Sequence, residues 1–89
     1  MFSYSIKEKS LTVLGTTVNA AFVDEIMGDK IEYFVDENLP KAGKNFRGKK
    51  VLHPKDLNNI NHTIVPYGES GIKIKERFEK LYKGTFSVV

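Results

Sequence analysis

The chain contains no cysteine in its 89 residues. That one absence removes disulfides, thiolate metal sites and cysteine nucleophiles together, and it fits a reducing compartment. Histidine is scarce: two are present, His53 and His62, and without cysteine or a close acidic ligand pattern they make no zinc-type site. No apolar run approaches the ~20 residues needed to span a bilayer. No secretory leader is legible, because residues 1–6 are short and Lys7, Glu8 and Lys9 are charged. A cytoplasmic, membrane-free protein is expected. The nucleophile elbow of hydrolases is missing, since Ser70 sits in Gly68-Glu69-Ser70-Gly71 rather than Gly-x-Ser-x-Gly. No paired acid and base stand out, so catalysis by the isolated chain is not expected, and no cofactor is assigned.

The chain does hold enough apolar sequence, 40%, for one modest core in one domain of residues 1–89. A domain this small buries only about 60–65% of its unfolded surface, which leaves a thin stability margin. The net charge of +3 is mild but unevenly placed. Residues 41–55 carry Lys41, Lys44, Arg47, Lys49, Lys50 and Lys55 with no acid among them. A solvated basic loop explains this stretch without a ligand. If it has one, a sugar-nucleotide phosphate is better sized for it than a polynucleotide, so nucleic acid is not expected as a partner.

Residues 1–9 alternate Phe2, Tyr4 and Ile6 with polar residues and read as an arm or edge segment ahead of a core at 10–89. Residues 11–15 form a short apolar run stopped by Gly15, expected to be a central strand buried on both faces. From Val18 the period changes to that of a helix, with Val18, Phe22, Val23, Ile26 and Met27 on one face and Gly28 closing it. Thr16 or Thr17 supplies the N-cap oxygen. Asp24 and Glu25 are then a solvated face. A near-continuous apolar run at 31–35 is the second strand, since parallel strands covered on both sides read this way.

Residues 37–50 are expected to be a polar loop, 50–52 a minimal strand, and 54–58 a Pro-started turn of helix capped by His53. A strand at 62–66 follows. The last helix places Ile74, Phe78, Leu81 and Tyr82 on one face, with Glu76–Lys80 and Glu79–Lys83 pairs outside. Gly84 ends it before a strand at 85–89. The alternation implies an α/β domain with a mainly parallel sheet of four to five strands and helices on both faces, a small Rossmann-like three-layer arrangement. The expected core is Val13, Phe22, Ile26, Phe34, Val35, Ile64, Val65, Phe78 and Leu81.

In such sheets ligands sit beyond the carboxyl ends of the strands, where strand order reverses. Three segments should meet there. The first is Gly15, Thr16, Thr17 and Asn19 at the start of the first helix, whose N–H groups favour an anion. The second is Asp36 with Asn38, 21 residues after Gly15, near the ~20-residue offset at which a carboxylate accepts from ribose. The third is the strand-to-helix turn Pro66-Tyr67-Gly68-Glu69-Ser70-Gly71, with Gly68 and Ser70 expected to close the other wall. Lys44 or Arg47 could reach a phosphate from the loop. The dinucleotide fingerprint is absent, because only its first glycine is kept in Gly15-Thr16-Thr17-Val18-Asn19-Ala20.

The run Ile31-Glu32-Tyr33-Phe34-Val35-Asp36-Glu37-Asn38, with Lys41, Gly43-Lys44, Gly48-Lys49, Val51-Leu52 and Pro54-Lys55-Asp56-Leu57, resembles the C-terminal domain of bacterial sugar C-methyltransferases. It is also similar to the small Rossmann-like domains at the front of polysaccharide-biosynthesis enzymes, including sugar N-acetyltransferases. The likeness covers about residues 10–83. It implies a non-catalytic accessory domain that binds a nucleotide or sugar nucleotide, either standing alone or belonging to a larger S-adenosylmethionine-dependent sugar methyltransferase. The alternative is a protein–protein interaction or dimerisation module without a small ligand, docking on a catalytic partner or on itself.

Overall fold

The computed structural model describes residues 10–89, so the expected arm at 1–9 lies outside the described residues. The elements are β1 (Ser10–Leu14), α1 (Val18–Met27), β2 (Tyr33–Val35), β3 (Asn45–Phe46), β4 (Lys49–Leu52), β5 (Asn61–Val65), α2 (Gly71–Leu81) and β6 (Thr85–Val88), with short 3-10 turns at Gly28–Lys30, Pro54–Asp56 and Gly68–Ser70. They build an α/β fold with two α-helices and a six-stranded sheet ordered β3-β4-β2-β1-β5-β6. Every pairing is parallel except β3 with β4.

β1 stands in the interior of the sheet, as its apolar run predicts. Successive strand residues point to opposite faces, and the two apolar clusters divide accordingly. Val13, Phe34 and Ile64 join Ala20 and Val23 of α1 in one cluster. Their chain neighbours Leu14, Val35 and Val65 join Phe78 of α2 and Phe86 of β6 in the other. Each helix therefore serves a different face. The one polar pair at the centre is Thr12 and Thr63, whose hydroxyls bond each other across β1 and β5. Among the described residues, no buried side-chain nitrogen or oxygen lacks a partner, as a low-dielectric interior requires.

The expected core needs correcting at three positions. Val13, Phe34, Val35, Ile64, Val65 and Phe78 are buried, but Phe22, Ile26 and Leu81 are exposed. Leu81 lies in the last turn of α2, off the face that packs on the sheet. Ile74, Phe78 and Tyr82 make that helix's contacts. Phe22 and Ile26 line a groove with Ile64, Pro66 and Val89 instead of joining the core.

The sheet also has one strand more than expected. Arg47 and Gly48, at φ 51° and 82°, form a two-residue turn with both central residues left-handed, the geometry that matches hairpin twist. Within the expected loop this turn folds Asn45–Phe46 back on Lys49–Leu52. Phe46 then packs its ring edge-on against Phe34 at 4.9 Å.

Two termini differ from expectation. Gly28 is right-handed at φ −58° and starts a 3-10 turn rather than a left-handed cap. Thr17 occupies the N-cap position without a side-chain hydrogen bond. His53 does cap its turn, its Nδ1 accepting from the Lys55 N–H at 3.0 Å. On α2, Glu79 pairs back to Lys75 at 3.5 Å.

Candidate functional site

The chain runs outward from β1 to β2 and β4, then returns to β5 on the other side of β1. Strand order thus reverses between β1 and β5, and the crevice there opens between Gly15 and Pro66. Gly15 is at φ 107°, and a Cβ on it would lie 2.5 Å from the Tyr67 hydroxyl. Glycine is required for both reasons. Its N–H donates to the Val35 carbonyl at 2.7 Å, which holds the turn down on the sheet.

The expected first and second segments do meet. Thr16 donates from Oγ1 to Asp36 Oδ2 at 2.8 Å, and the Asn38 N–H donates to Asp36 Oδ1 at 2.8 Å. Thr16 is therefore a clamp on Asp36 rather than a helix cap. Lys41 approaches the same carboxylate at 3.9 Å. Both oxygens of Asp36 are thus engaged by the protein itself. Asn19 reaches across the crevice and donates from Nδ2 to the Pro66 carbonyl at 2.7 Å, tying the first turn to the third.

The third segment departs from expectation. Gly68 and Ser70 lie exposed in a 3-10 turn, and Tyr67 forms the wall instead. Burial and the Asp36 charge push the Tyr67 phenol above its ordinary pKa, so it stays a neutral hydrogen-bonding group. Leu14, Gly15, Asp36, Glu37, Tyr67 and Arg77 are among the residues lining a concavity of 190 Å³. Arg77 donates to both oxygens of Glu37 at 2.8 Å, and the Tyr82 hydroxyl donates to Glu37 Oε2 at 2.9 Å. The Arg77 bonds hold the Glu37 carboxyl below its ordinary pKa. Tyr67 was already within the expected Pro66–Gly71 turn. Arg77 carried no signal beyond its place on an amphipathic helix.

The basic loop divides. Lys44 lines a second concavity of 200 Å³ with Thr16 and Lys41. Arg47 turns away to the flank of α1, donating to Asp24 at 2.7 Å and to Glu25 at 2.9 Å, while Lys49 donates to Asp24 at 2.9 Å. This corrects two expectations: Arg47 is not directed at the crevice, and Asp24, 10% exposed, is not a solvated carboxylate. Hydrogen bonds from Arg47 and then Lys49 lower its pKa. Gly28 leaves room for this group, since a Cβ there would lie 2.7 Å from Asp24 Oδ1.

A third concavity was not anticipated. Val18, Phe22 and Ile26, spaced by four residues on α1, are 79%, 65% and 69% exposed. They flank a groove of 580 Å³ whose floor and far wall include Ile64, Pro66 and Val89. The groove lies on the α1 face of the sheet, over β5, where α1 does not reach and α2 is on the other side. Further along that open face, His62 bonds the hydroxyls of Thr85 at 2.6 Å and Ser87 at 2.9 Å. The helical period of these α1 residues was legible, but Phe22 and Ile26 were assigned to the core.

Comparison with protein-family models, with curated proteins and with solved structures finds no match. Among the described residues, no group of three or more metal-ligating side chains is assembled, and no helix is long and apolar enough to cross a membrane.

Proposed function

We propose that this chain is a non-catalytic interaction module of Rossmann-like, three-layer design, whose working face is the α1 groove. Its partner presents an uncharged apolar ridge. One observation carries this reading: three large apolar side chains stand exposed in a single stripe beside an apolar groove. Parallel sheets are normally covered on both faces, and contiguous exposed apolar patches of this kind mark interaction surfaces. The partner's chemistry follows from charge. The stripe itself holds no charge: Asp24 is drawn to another flank of α1 by Arg47 and Lys49, and Glu25, which borders the stripe, is paired with Arg47. A catalytic domain of the carbohydrate-modifying type, beside which similar domains stand, is one bearer of such a ridge.

The test replaces Val18, Phe22 and Ile26 together by serine. At low micromolar protein the native chain should enhance the fluorescence of the apolar dye ANS, which reports exposed apolar surface. The triple variant should lose that enhancement while keeping its circular dichroism and unfolding midpoint. An unfolded variant would return these residues to the core. Equal dye signals in both proteins would remove the groove as a binding face.

A second reading keeps a small ligand at the crevice, favoured by the meeting of Gly15, Thr16 and Asp36. The 190 Å³ available there is below the ~300 Å³ at which ligand pockets usually begin. That is room for a phosphate or one sugar of a nucleotide sugar, and such a group must add to, or displace, the bonds Asp36 already makes. Titration with a panel of nucleotides and sugar nucleotides separates the readings. Amide shifts at residues 15–18 and at Asp36 would establish the ligand, and an unchanged spectrum would remove it.

A further inference from the structure

We propose that the crevice and the concavity lined by Lys41 and Lys44 are two halves of one ligand site, whose ligand is a phosphomonoester on a hydroxylated ring: a sugar phosphate or a nucleoside monophosphate. This rests on the second reading, a small ligand at the crevice, and adds where each part of that ligand lies. The phosphate goes to the lysines and the ring to the crevice.

The two halves share a wall. Gly15 lines the crevice, and Thr16, the next residue, lines the basic concavity. Asp36, on the crevice side, accepts from Thr16 at 2.8 Å, so one hydrogen bond over the ends of β1 and β2 divides the space. At 190 and 200 Å³, each half is below the ~300 Å³ at which ligand pockets usually begin. The two side by side exceed it.

Charge assigns the parts. Asp36 and Glu37 line the crevice, and the arginine there, Arg77, is already bonded to both oxygens of Glu37. A phosphate in the crevice would face two carboxylates. Ring hydroxyls suit it better, because Asp36 accepts, and the Tyr67 phenol, which stays protonated, both donates and accepts. The other half is lined by Thr16, Lys41, Lys44, Asn45, Phe46 and Val51, with no acid among them.

Backbone bonds fix where the lysines start. The Gly43 N–H donates to the Val51 carbonyl at 2.8 Å, and the Lys44 carbonyl accepts from the Val51 N–H at 2.8 Å, which pins the loop to β4. Arg47 and Lys49, from the same stretch, are spent on Asp24. Lys44 makes no ion pair among the described residues. Lys41 stands 3.9 Å from Asp36 Oδ2, a long pair that leaves ammonium donors free.

The test follows backbone amides of the whole chain during titration with glucose-1-phosphate, adenosine monophosphate and inorganic phosphate, at low salt so that exposed charges are not screened. The ester should move Thr16, Asp36, Lys44 and Tyr67 together, and the tighter of the two esters tells a sugar from a nucleoside. Inorganic phosphate should move Thr16 and Lys44 and leave Tyr67 still. Lys44→Ala should weaken the ester about tenfold, the loss of one bond to a charged group, with an unchanged circular dichroism spectrum. Lys50→Ala removes an exposed lysine of the same stretch that does not line the concavity, and it should leave the affinity unchanged.

Equal losses in the two variants would reduce the basic stretch to a diffuse field and overturn the proposal. Ester shifts at Gly15, Asp36 and Tyr67 that persist at full affinity in Lys44→Ala would also overturn it, while the ligand kept its place in the crevice. No shift from any of the three probes would remove the proposal and the crevice reading together.

Discussion

The two helices of this fold are nearly equal in length and are embedded differently. α2 is the more polar, with Lys73, Lys75, Glu76, Arg77, Glu79 and Lys80 among its eleven residues, yet it is firmly seated. Phe78 is 1% exposed and makes edge-on ring contacts with Tyr82 at 4.9 Å and Phe86 at 5.7 Å. Gly71 brings the start of α2 close to the sheet, where a Cβ would lie 3.0 Å from Val65 and 3.2 Å from Val88. Each helix buries two residues and leaves large apolar ones exposed, Ile72 and Leu81 on α2. But α1, the more apolar, buries the small Ala20 and Val23 and leaves its ring Phe22 outside with Val18 and Ile26. A helix's own apolar content therefore does not tell how much of it is covered. α2 packs on Val65 and Phe86 of β5 and β6, whereas the apolar arc of α1 borders an open groove with Ile64, Pro66 and Val89.

The comparison breaks first at the rings. Phe78→Ala and Phe34→Ala should each cost about 3–5 kcal/mol, the usual result of emptying a buried aromatic site, measured as a shift in urea midpoint at constant slope. Losses below about 1 kcal/mol would mean that the α2 face is no better packed than the α1 face.

Close approach is the next difference. Gly71→Ala should destabilise by about 1–3 kcal/mol, since the added methyl must displace Val65 or Val88 within a packed layer. Gly43→Ala meets no atom within 4 Å but sits at φ 86°, so its smaller cost, about 1 kcal/mol, is conformational alone. Equal costs would show that the tight seat of α2 on the sheet carries no energy.

A smaller effect sharpens the electrostatic side. Asp24→Asn should cost about 1 kcal/mol by weakening the bonds that tie the β3–β4 hairpin to α1. The sign with pH follows from the direction of its pKa. The folded value lies below the ordinary one, so this stabilisation is present above the ordinary aspartate pKa and is lost as pH falls through the folded value. The same sign holds for Glu37, whose bond to half-exposed Arg77 is weakened by solvent. Acid unfolding curves of Asp24→Asn and native protein should therefore converge at low pH.

The smallest effect belongs to the stripe. Phe22→Ser should change stability by no more than about 0.5 kcal/mol, measured as a shift in urea midpoint. Set against Phe78→Ala, this is the widest gap the two helices predict for rings of the same type. A Phe22→Ser loss approaching that of Phe78→Ala would erase the distinction.

Much of the architecture was legible because it rests on local rules. The apolar runs at 11–15 and 31–35, the change of period at Val18, the Pro-started turn behind His53 and the charged stripe of α2 each need only a few neighbouring residues to be read. The hairpin was missed because Arg47-Gly48 is a weak version of the Asn-Gly signal for the same turn. Half of the crevice was legible. Gly15 and Asp36 follow from strand ends, but the clamp from Thr16, the wall from Tyr67 and the Arg77–Glu37 pair depend on which strands become neighbours.

The amino-acid sequence by itself determined the order of the main elements and the period of each, because periodicity and turn chemistry act over a few residues. Only the tertiary structure decided how far each face is covered, that Arg47 turns to Asp24 rather than the crevice, and that Phe22 and Ile26 stay outside. Those outcomes depend on which strands become neighbours, above all on the return of the chain to β5 beside β1. That return is set by contacts between residues some fifty positions apart, such as Thr12 with Thr63, and no local pattern encodes it.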